Sequence, residues 1–353
     1  MPHPTAHRTP FGSIGGTPVH LWTLDCGTGV RAEVLTYGAS LHRLTVPDTT
    51  GATASVVRSL ATVDDYTAKH PYFGAVVGRY ANRIAHGRFT LDGTTHHIPA
   101  NDRGHALHGG PEGFHTKVWD ASADSTDDTA SVRLALHSPD GDMGFPGALD
   151  CTVTYTLDAT GTLAIDYTAV SDRPTVVNLT NHAYFDLAGH DDVLGHRLQV
   201  DADSYVPVDG DGIPQGPPAE VRGTPFDLTV PRVLRVQLVQ NDEQLRAAGG
   251  FDHSWVLRDT GGLRRAARLT APGEARVLEV WTTEPGIQVY TANQLDGSFT
   301  DATGRRHERH GSVCLETQHL PDSPNRPELP STVLRPGRTA RSRTELRFPH
   351  LGA

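Results

Sequence analysis

Residues 175–189 read TVVNLTNHAYFDLAG and alternate between apolar and polar side chains with the two-residue period of a β-strand. One predicted face carries Val177, Leu179, Ala183, Phe185 and Leu187, interrupted by Asn181. The other face carries Asn178, Thr180, His182, Tyr184 and Asp186. An ordinary solvated face would more often hold Lys, Glu and Thr. An imidazole, a phenol, an amide and a carboxylate together suit a small polyhydroxylated ligand, and we interpret His182 as a proton donor in a sugar pocket.

Glycine and proline interrupt many other short segments of alternating hydrophobicity, with 36 Gly and 25 Pro among 353 residues. The segments that resemble strands are 30–35, 132–136, 151–157, 163–169, 277–281, 287–290 and 313–315. Turn signals between them include Asp92-Gly93, Asp140-Gly141, Thr160-Gly161, Asp209-Gly210 and Pro285-Gly286. Only residues 242–248 predict a helix, and it is short. This pattern predicts an all-β sandwich or barrel in a single domain spanning 1–353, with residues 1–10 as a flexible tail.

Composition excludes several classes of protein. The formal net charge is −10, from 31 basic and 41 acidic residues, and no basic stripe appears, so a general nucleic-acid or membrane-surface binder is not expected. No apolar run approaches the roughly 20 residues that cross a bilayer. The first residues, MPHPTAHRTPFGSIGG, lack the apolar core of a signal peptide. Cys26, Cys151 and Cys314 are odd in number and far apart, which predicts free thiols in the cytoplasm.

Two motifs in the first third of the chain could carry chemistry. Residues 78–84 read GRYANRI, in which Arg83 could offer a fixed fork of donors to hydroxyl oxygens, although a turn with surface arginines is a strong competing interpretation. Residues 107–110 read LHGG, and the two glycines suggest a turn that presents His108. A histidine that merely caps a loop fits this motif equally well.

Three motifs in the second half add further candidates. Asp252 lies in a glycine-rich segment, GGFDHSW, where it would either form an Asx turn or accept hydrogen bonds from neighbouring sugar hydroxyls. Gln288, in EPGIQVYTAN, can both donate and accept. Glu316, in SVCLETQHLPDSPN, follows apolar residues on a predicted strand, and a partly buried glutamate needs a partner or a function.

Histidine pairs raise the question of a metal site, because the chain has 20 His residues. The pairs are His96 with His97, His105 with His108, and His307 with His310. No HExxH helix or cysteine partner accompanies any of them, so we expect no bound metal.

Together these motifs resemble the aldose 1-epimerase (galactose mutarotase) family over nearly the whole chain. The resemblance is carried, in order, by Phe11-Gly12, Tyr37-Gly38-Ala39, GRYANRI, NDRGHALHGG, SPDGDMGFPG, NLTNHAYFDL, GTPFDL, FDHSW, EPGIQVYTAN and LETQHLPDSPN, and it ends near Phe348. It implies a large antiparallel β-sandwich with the sugar site on a broad sheet face. It also implies no cofactor, a monosaccharide as the partner, and a monomer or homodimer.

The resemblance assigns roles by motif position. It implies that His182 is the general acid and Glu316 the general base. It implies that Asn82, Arg83, His108, Asp252 and Gln288 bind the sugar. Two departures stand out: Asp186 occupies a position where the family usually has Asn, and residues 55–66, SVVRSLATVDDY, lack the usual Leu-Gly-Phe. We expect the first to alter a hydrogen bond at the pocket edge and the second to affect a loop.

The implied reaction interconverts the α and β anomers of free aldohexoses such as galactose and glucose. Ring opening needs a proton at the ring oxygen and loss of the proton on the anomeric hydroxyl, so two groups must reach the two sides of the C1–O5 unit. His182 as imidazolium would donate the first proton, and Glu316 as carboxylate would accept the second. After rotation about C1–C2 the ring would reclose with the roles reversed.

Three alternatives remain open on the sequence. A glycoside hydrolase could use Glu316 and Asp252 as a carboxylate pair across a scissile bond. A sugar-binding module could share the fold without catalysis. A related enzyme could act on another hemiacetal, such as a sugar phosphate, which would favour additional basic residues near the pocket.

Overall fold

Short strands separated by turns make up most of the chain, as the sequence predicts. A computed structural model describes residues 3–68, 71–190, 192–259 and 261–352. Three short α-helices interrupt the strands in this part of the chain: α1 (Val63–Thr67), α2 (Leu234–Leu238) and α3 (Glu243–Ala248). None of the helices in the described residues has the length and apolar character needed to cross a membrane.

The strands of the described residues are given in two groups in chain order. The first group is β1 (Thr5–Ile14), β2 (Thr17–Asp25), β3 (Arg31–Leu35), β4 (Leu41–Pro47), β5 (Thr53–Ser55), β6 (Val76–Val77), β7 (Arg83–Ile84), β8 (Arg88–Leu91), β9 (Thr94–His97), β10 (Ala106–Leu107), β11 (Asp120–Ser125), β12 (Thr129–Ser138), β13 (Leu149–Asp158) and β14 (Leu163–Ser171). The second group is β15 (Thr175–Val176), β16 (Thr180–Asn181), β17 (Tyr184–Phe185), β18 (Arg197–Val200), β19 (Ala202–Val206), β20 (Ala219–Glu220), β21 (Arg232–Val233), β22 (Asp252–Leu257), β23 (Arg264–Thr270), β24 (Val277–Thr282), β25 (Gly286–Tyr290), β26 (Val313–Gln318), β27 (Val333–Leu334) and β28 (Ala340–Arg347). Short 3₁₀ helices lie at Ala85–Gly87, Phe114–Thr116, Asp142–Gly144, Pro272–Glu274, Ser323–Asn325 and Pro349–Gly352.

Two large sheets organise these strands. One has nine strands in the order β11-β12-β13-β14-β28-β24-β23-β18-β21, and the other has six in the order β17-β26-β25-β22-β19-β20. A five-stranded sheet, β1 to β5, and four two-stranded ribbons, β7/β10, β8/β9, β6/β16 and β15/β27, complete the fold. The strand pairs in these sheets are antiparallel, which confirms the prediction of a large antiparallel β-sandwich.

One continuous hydrophobic core lies between the nine-stranded and six-stranded sheets. The nine-stranded sheet contributes Leu198 and Val280, and the six-stranded sheet contributes Ile287, Val289 and Leu315. Burying each such side chain contributes roughly 1.5–3 kcal/mol. Because side chains alternate along a strand, the residues between these three on β25 and β26 face away from the core. That outer face is available for a binding site.

The stretch at residues 175–189 is not one strand. It pairs with three different partners, since β15 pairs with β27, β16 with β6, and β17 with β26. The predicted apolar face is nevertheless buried, because its side chains lie in the core between the sheets: Val177, Leu179, Ala183, Phe185 and Leu187. The stretch therefore crosses from one part of the sandwich to another while keeping one side buried against the same core.

The N-terminal prediction was wrong in part. Residues 5–10 are not a flexible tail, because they form the first part of β1 and pair with β2 in the register from Thr5 opposite Asp25 to Pro10 opposite His20. Residues 1 and 2 lie outside the described residues.

Helix α3 confirms the single helix that the sequence predicts. Asp242 is its N-cap and accepts hydrogen bonds from the backbone N–H groups of Gln244 and Leu245. Helix α1 was missed although it begins with a reciprocal capping box, in which Thr62 and Asp65 each accept a hydrogen bond from the other's backbone N–H. The short second helix carries no such signal.

Asp186 anchors a buried ion pair near the end of the 175–189 stretch. Its Oδ2 lies 2.8 Å from Nη2 of Arg58 and 3.6 Å from Nη1 of Arg305. Its Oδ1 accepts hydrogen bonds from the backbone N–H groups of Ala188 and Gly189. Because both Asp186 and Arg58 are buried, the carboxylate compensates a positive charge that water does not reach.

We therefore expect Asp186→Ala to lower the free energy of unfolding by about 3–5 kcal/mol, since breaking a buried ion pair leaves a charge uncompensated. Urea denaturation measures this loss. The matched control is Asp150→Ala, whose carboxylate forms an exposed pair with His137. We expect the control to change stability by less than about 0.5 kcal/mol. Equal effects of the two substitutions would contradict the buried ion pair.

Candidate active site

A recess on the outer face of the six-stranded sheet collects all seven residues to which the family resemblance assigns a role in catalysis or sugar binding. It encloses about 460 Å³, including its open mouth. The predicted residues that line it are Asn82, Arg83, His108, His182, Asp252, Gln288 and Glu316. The structure thus brings together residues that are up to 234 positions apart in the sequence, from Asn82 to Glu316.

The register of three neighbouring strands aligns the carboxylates and the amide. Gln288 on β25 lies directly opposite Glu316 on β26, and Asp252 on β22 lies opposite Tyr290 on β25. All four residues point outward, because the core-facing residues alternate with them along each strand. A rigid sheet therefore fixes the spacing of the acidic groups in the recess.

A chain of hydrogen bonds fixes the orientation of Gln288. The Ser254 hydroxyl donates to Oε1 of Gln288. Nε2 of Gln288 donates to Oδ1 of Asp252 at 2.7 Å. Because the amide has a defined donor side and acceptor side, its remaining hydrogen-bonding capacity also has a defined direction. This suits a ligand whose hydroxyls both donate and accept.

Arg83 and His108 enter the recess from the ribbon of β7 and β10, in which Arg83 lies opposite Leu107. The LHGG turn after β10 packs closely on the GRYANRI segment. Gly109 has a φ of +87°, and a Cβ at this position would lie only 2.0 Å from the carbonyl oxygen of Gly78. A glycine is required here because the positive φ disfavours other residues and because a side chain would clash with the carbonyl oxygen of Gly78.

His108 is a neutral hydrogen-bond donor toward the recess. Its Nδ1 accepts the backbone N–H of Asn82 at 3.1 Å, so the ring proton lies on Nε2. Burial and the positive fields of His182 and Arg83 hold the pKa of His108 well below its usual value. The ring therefore stays uncharged and offers an N–H at its other nitrogen.

His182 and Glu316 form the central pair of the recess. His182 Nε2 lies 3.6 Å from Glu316 Oε1, and both side chains are buried. On the other side of the imidazole, Nδ1 lies 3.6 Å from Sγ of Cys314. Burial keeps the pKa of the Cys314 thiol well above its usual range, so the thiol stays protonated and can donate or accept.

Glu316 has the environment of a general base. Burial and the negative charge of Asp252 raise the pKa of its carboxyl well above the usual value, while Arg83 opposes this shift. Its Oε2 has no hydrogen-bond partner among the described residues. A buried carboxylate oxygen in this state is uncommon and available to a ligand hydroxyl.

Aromatic rings form the walls of the recess. The ring of Tyr72 lies 4.5 Å from His108 and 5.7 Å from His182, and the ring of Tyr184 lies 5.1 Å from His182. The Tyr184 hydroxyl donates to the carbonyl oxygen of Pro71 at 2.8 Å, which ties Pro71, and with it the neighbouring Tyr72, to the sheet. Tyr290 also lines the recess, and its ring lies 6.2 Å from that of Tyr184.

Sequence reasoning missed several lining residues. These are Pro71, Tyr72, Leu107, Tyr290 and Gln294, whereas Tyr184, the phenol on the predicted ligand-facing side of residues 175–189, also lines the recess. A signal existed for one of the missed residues, since Tyr290 shares the strand face of Gln288. Tyr72 comes from a loop and has a φ of +63°, and no local pattern predicts its position.

Other residues of the same motifs have structural roles. Arg79 is buried and donates to the carbonyl oxygens of Ser138, Pro139, Pro146 and Gly147. Asn178 lies outside the recess and donates to the carbonyl oxygens of Ala81 and His319.

Of the two departures from the family pattern, the first does not lie where we expected, whereas the second falls largely in a loop, residues 56–62, as expected. Asp186 lies in the buried ion pair described above rather than at the pocket edge. Residues 55–66 include the start of α1. Tyr66 in this segment hydrogen-bonds with His42 away from the recess.

One group of side chains in the recess has the composition of a metal site. The ligand atoms of His108, His182 and Glu316 lie within 4.8 Å of one another. A histidine that binds a metal normally donates its other ring N–H to an acceptor. His108 does the opposite, because its Nδ1 accepts from Asn82 and its Nε2 carries the proton. The donor set therefore fits a hydroxylated ligand better than a cation.

Comparisons with known proteins agree on one family. The sequence profile described as "Aldose 1-epimerase" matches residues 20–347. The galactose mutarotase of Rattus norvegicus is 41% identical over 345 residues, which cover 97% of this chain and 98% of the rat protein. The aldose 1-epimerase of Escherichia coli is 38% identical over 346 residues, covering 97% and 99% of the two chains. The crystal structure of galactose 1-epimerase from Lactobacillus acidophilus superposes with a TM-score of 0.87, at 28% identity and 98% coverage of both chains.

The hydrogen bond from Asn82 makes the tautomer of His108 testable. We expect ¹⁵N NMR of histidine-labelled protein, with His108→Gln to assign the signal, to show a proton on Nε2 and none on Nδ1. We expect the ring to remain neutral well below pH 6.5, because its pKa is lowered. A proton on Nδ1, or charging of the ring near its ordinary pKa, would contradict this geometry.

Proposed function

This chain belongs to the aldose 1-epimerase family, and from this premise we propose that His182 and Glu316 are its catalytic acid and base. The chain is a mutarotase, an isomerase that interconverts the anomers of an aldose. We propose free aldohexoses such as galactose and glucose as its substrates. The relatives named galactose mutarotase and galactose 1-epimerase support this choice.

The reaction requires two coupled proton transfers at one carbon. His182 as imidazolium donates its Nε2 proton to the ring oxygen O5, and Glu316 as carboxylate accepts the proton of the anomeric hydroxyl. The C1–O5 bond breaks as the C1–O1 double bond forms. The aldehyde then turns about C1–C2, and O5 attacks its other face. Glu316 returns its proton to O1 and His182 recovers its own, so both groups end in their starting states.

The separation of the two groups is the observation that carries this mechanism. His182 Nε2 and Glu316 Oε1 face the same recess at 3.6 Å. O1 and O5 are both bonded to C1, so an acid and a base that serve them must lie close together. The site holds the open-chain sugar with its aldehyde and O5 close to the acid and the base. Ring closure therefore needs little further ordering of the sugar, which lowers the entropic cost of that step.

The charges of the recess favour a sugar without a phosphate. Arg83 is the only Lys or Arg among the described lining residues. Its Nε lies 2.9 Å from Asp102, and its Nη2 lies 3.9 Å from Asp252. These two carboxylates already compensate the positive charge of Arg83. A phosphate on the substrate would therefore be repelled by the carboxylate of Glu316 without a matching attraction to Arg83. This supports a neutral substrate over the sugar-phosphate alternative.

The contacts of Asp252 also weigh against the other two alternatives. Its carboxylate accepts from Gln288 and faces Arg83, which suits a binding role better than that of second carboxylate in a hydrolase. The nearest partner of Glu316 is an imidazole instead. A binding module without catalysis would not need a buried base next to an acid.

We also propose a cytoplasmic location. The three cysteines Cys26, Cys151 and Cys314 are buried free thiols, which is typical of a reducing compartment. The prediction of a monomer or homodimer remains, and light scattering of the purified protein measures it. The expectations of no cofactor, no nucleic-acid partner and no membrane partner rest on composition and on the redox-neutral reaction.

Removing the base should abolish catalysis without unfolding the protein. We expect Glu316→Gln and His182→Asn each to lower kcat by at least about 10²–10⁴-fold, the usual contribution of a positioned acid or base. Polarimetry of freshly dissolved α-glucose or α-galactose, corrected for spontaneous mutarotation, measures the rate.

The matched control is Glu284→Gln, because Glu284 is also buried and lies 2.7 Å from a histidine, His319, outside the recess. We expect this variant to retain kcat even where it loses stability. A Glu316→Gln enzyme as fast as wild type would refute the assignment of the base.

The raised pKa of Glu316 predicts a pH profile. The base acts only when deprotonated, so kcat/KM should fall as the pH drops through the raised pKa, at a midpoint clearly above 4.5. Asp252→Asn removes a negative charge that contributes to the shift, so the acid limb of its residual activity should move to lower pH. Stopped-flow polarimetry over pH 4–8 measures the acid limb of the wild-type profile and that of the Asp252→Asn profile. An acid limb at or below pH 4.5 would contradict the burial argument.

A further inference from the structure

A tight turn outside the recess covers the guanidinium of Arg83. The turn comprises residues 209–213, DGDGI, and its two ends are joined by a hydrogen bond from the Asp209 N–H to the Ile213 carbonyl at 2.9 Å. The Asp209 carboxylate also accepts the backbone N–H groups of Asp211 and Ile213, each at 2.9 Å. These bonds make the turn a rigid element rather than a loose loop.

Gly212 is the point of contact between this turn and Arg83. Its φ is +81°, and a Cβ at this position would lie 2.9 Å from both Cζ and Nη1 of Arg83 and 3.1 Å from Nε. The absence of a side chain thus allows the backbone to lie directly against the guanidinium plane. Any larger residue would displace the guanidinium, which is the end of a flexible side chain.

Asp102 holds the same guanidinium from its edge. Its Oδ2 accepts from Nε of Arg83 at 2.9 Å. Burial acts against ionisation of this carboxyl, but Arg83 and Arg103 prevail and lower its pKa. Arg103 also donates from Nη1 to the carbonyl oxygen of Gly210 at 2.7 Å, which joins Asp102 to the turn. The guanidinium is therefore held by Asp102, Gly212 and, more loosely, Asp252.

We propose that Asp102, Arg103 and the turn at residues 209–213 form a positioning clamp for Arg83. The clamp fixes the direction in which the remaining guanidinium N–H groups meet the sugar hydroxyls. It rests on the proposed function, in which Arg83 binds the substrate. Asp102, Arg103 and Gly212 do not line the recess, so they act on the substrate only through Arg83. Because hydroxyl binding by Arg83 serves the bound sugar and the transition state alike, disturbing the clamp raises KM far more than it lowers kcat.

The first test is Gly212→Ala. We expect kcat/KM for galactose to fall about 10- to 100-fold, because a displacement of about 1 Å in a positioning group has an effect of this size. We expect kcat to stay within about threefold of wild type. The matched control is Gly223→Ala, since Gly223 also has a positive φ, +77°, but a Cβ there meets nothing within 4 Å. The two glycines have similar positive φ values, so a difference in KM between the variants reports the contact with Arg83 that Gly223 lacks.

The second test varies the carboxylate. We expect Asp102→Ala to raise KM as Gly212→Ala does, Asp102→Glu to restore part of the loss, and Arg103→Ala to give an intermediate value. A role in folding alone would lower the thermal midpoint without changing KM, and would not be rescued selectively by Glu. Kd for galactose, measured by calorimetry in the Glu316→Gln background, should weaken in parallel with KM.

The outcomes separate this proposal from the proposed function. If Gly212→Ala and Asp102→Ala keep the wild-type KM and Kd while Glu316→Gln is inactive, the clamp is refuted and the mechanism stands. If Glu316→Gln is as active as the wild type, the assignment of the catalytic base is refuted, whatever the KM values of the clamp variants. If Gly223→Ala raises KM as much as Gly212→Ala, backbone strain explains the effect and the contact with Arg83 is overturned.

Discussion

The burial of Glu316 is the constraint on which the rest of the site depends. A buried carboxylate is costly to ionise, and the negative charge of Asp252 increases this cost. The fold tolerates it because the six-stranded sheet supplies rigid neighbours, with Gln288 directly opposite and His182 at 3.6 Å. The same arrangement that raises the pKa of Glu316 well above its usual value makes the carboxylate a stronger base, which favours transfer of the anomeric proton to it.

Rigidity around this pair comes from groups that do not touch the reacting carbon. Ser254 orients Gln288, Gln288 contacts Asp252, and the backbone of Asn82 fixes the tautomer of His108. Each of these bonds removes a rotamer or a proton position that would otherwise have to be selected when sugar binds. The recess is thus organised before its ligand arrives, which reduces the entropic cost of binding.

The sequence predicts most of the site because side chains alternate along strands. The period of two placed Glu316 and Gln288 on faces opposite their apolar neighbours, and the structure has the same faces. It could not predict that residues 175–189 divide among three partners, because pairing depends on segments far away in the chain. For the same reason Asp186 looked like a ligand-facing residue, although Arg58 lies beside it in the fold. Tyr72 and Gly212 act from loops, where no period applies.

The three-way pairing of residues 175–189 has a consequence for how the chain acquires activity. Its partners β6, β26 and β27 lie roughly 100 residues before it and more than 100 after it. Contacts this distant in sequence give a high contact order, and such topologies fold slowly because chain closure precedes most of the stabilising contacts. His182 cannot meet Glu316 until those closures are complete. Recovery of turnover during refolding would therefore report the last stage of assembly, and nascent or truncated chains that lack β26 would be catalytically silent.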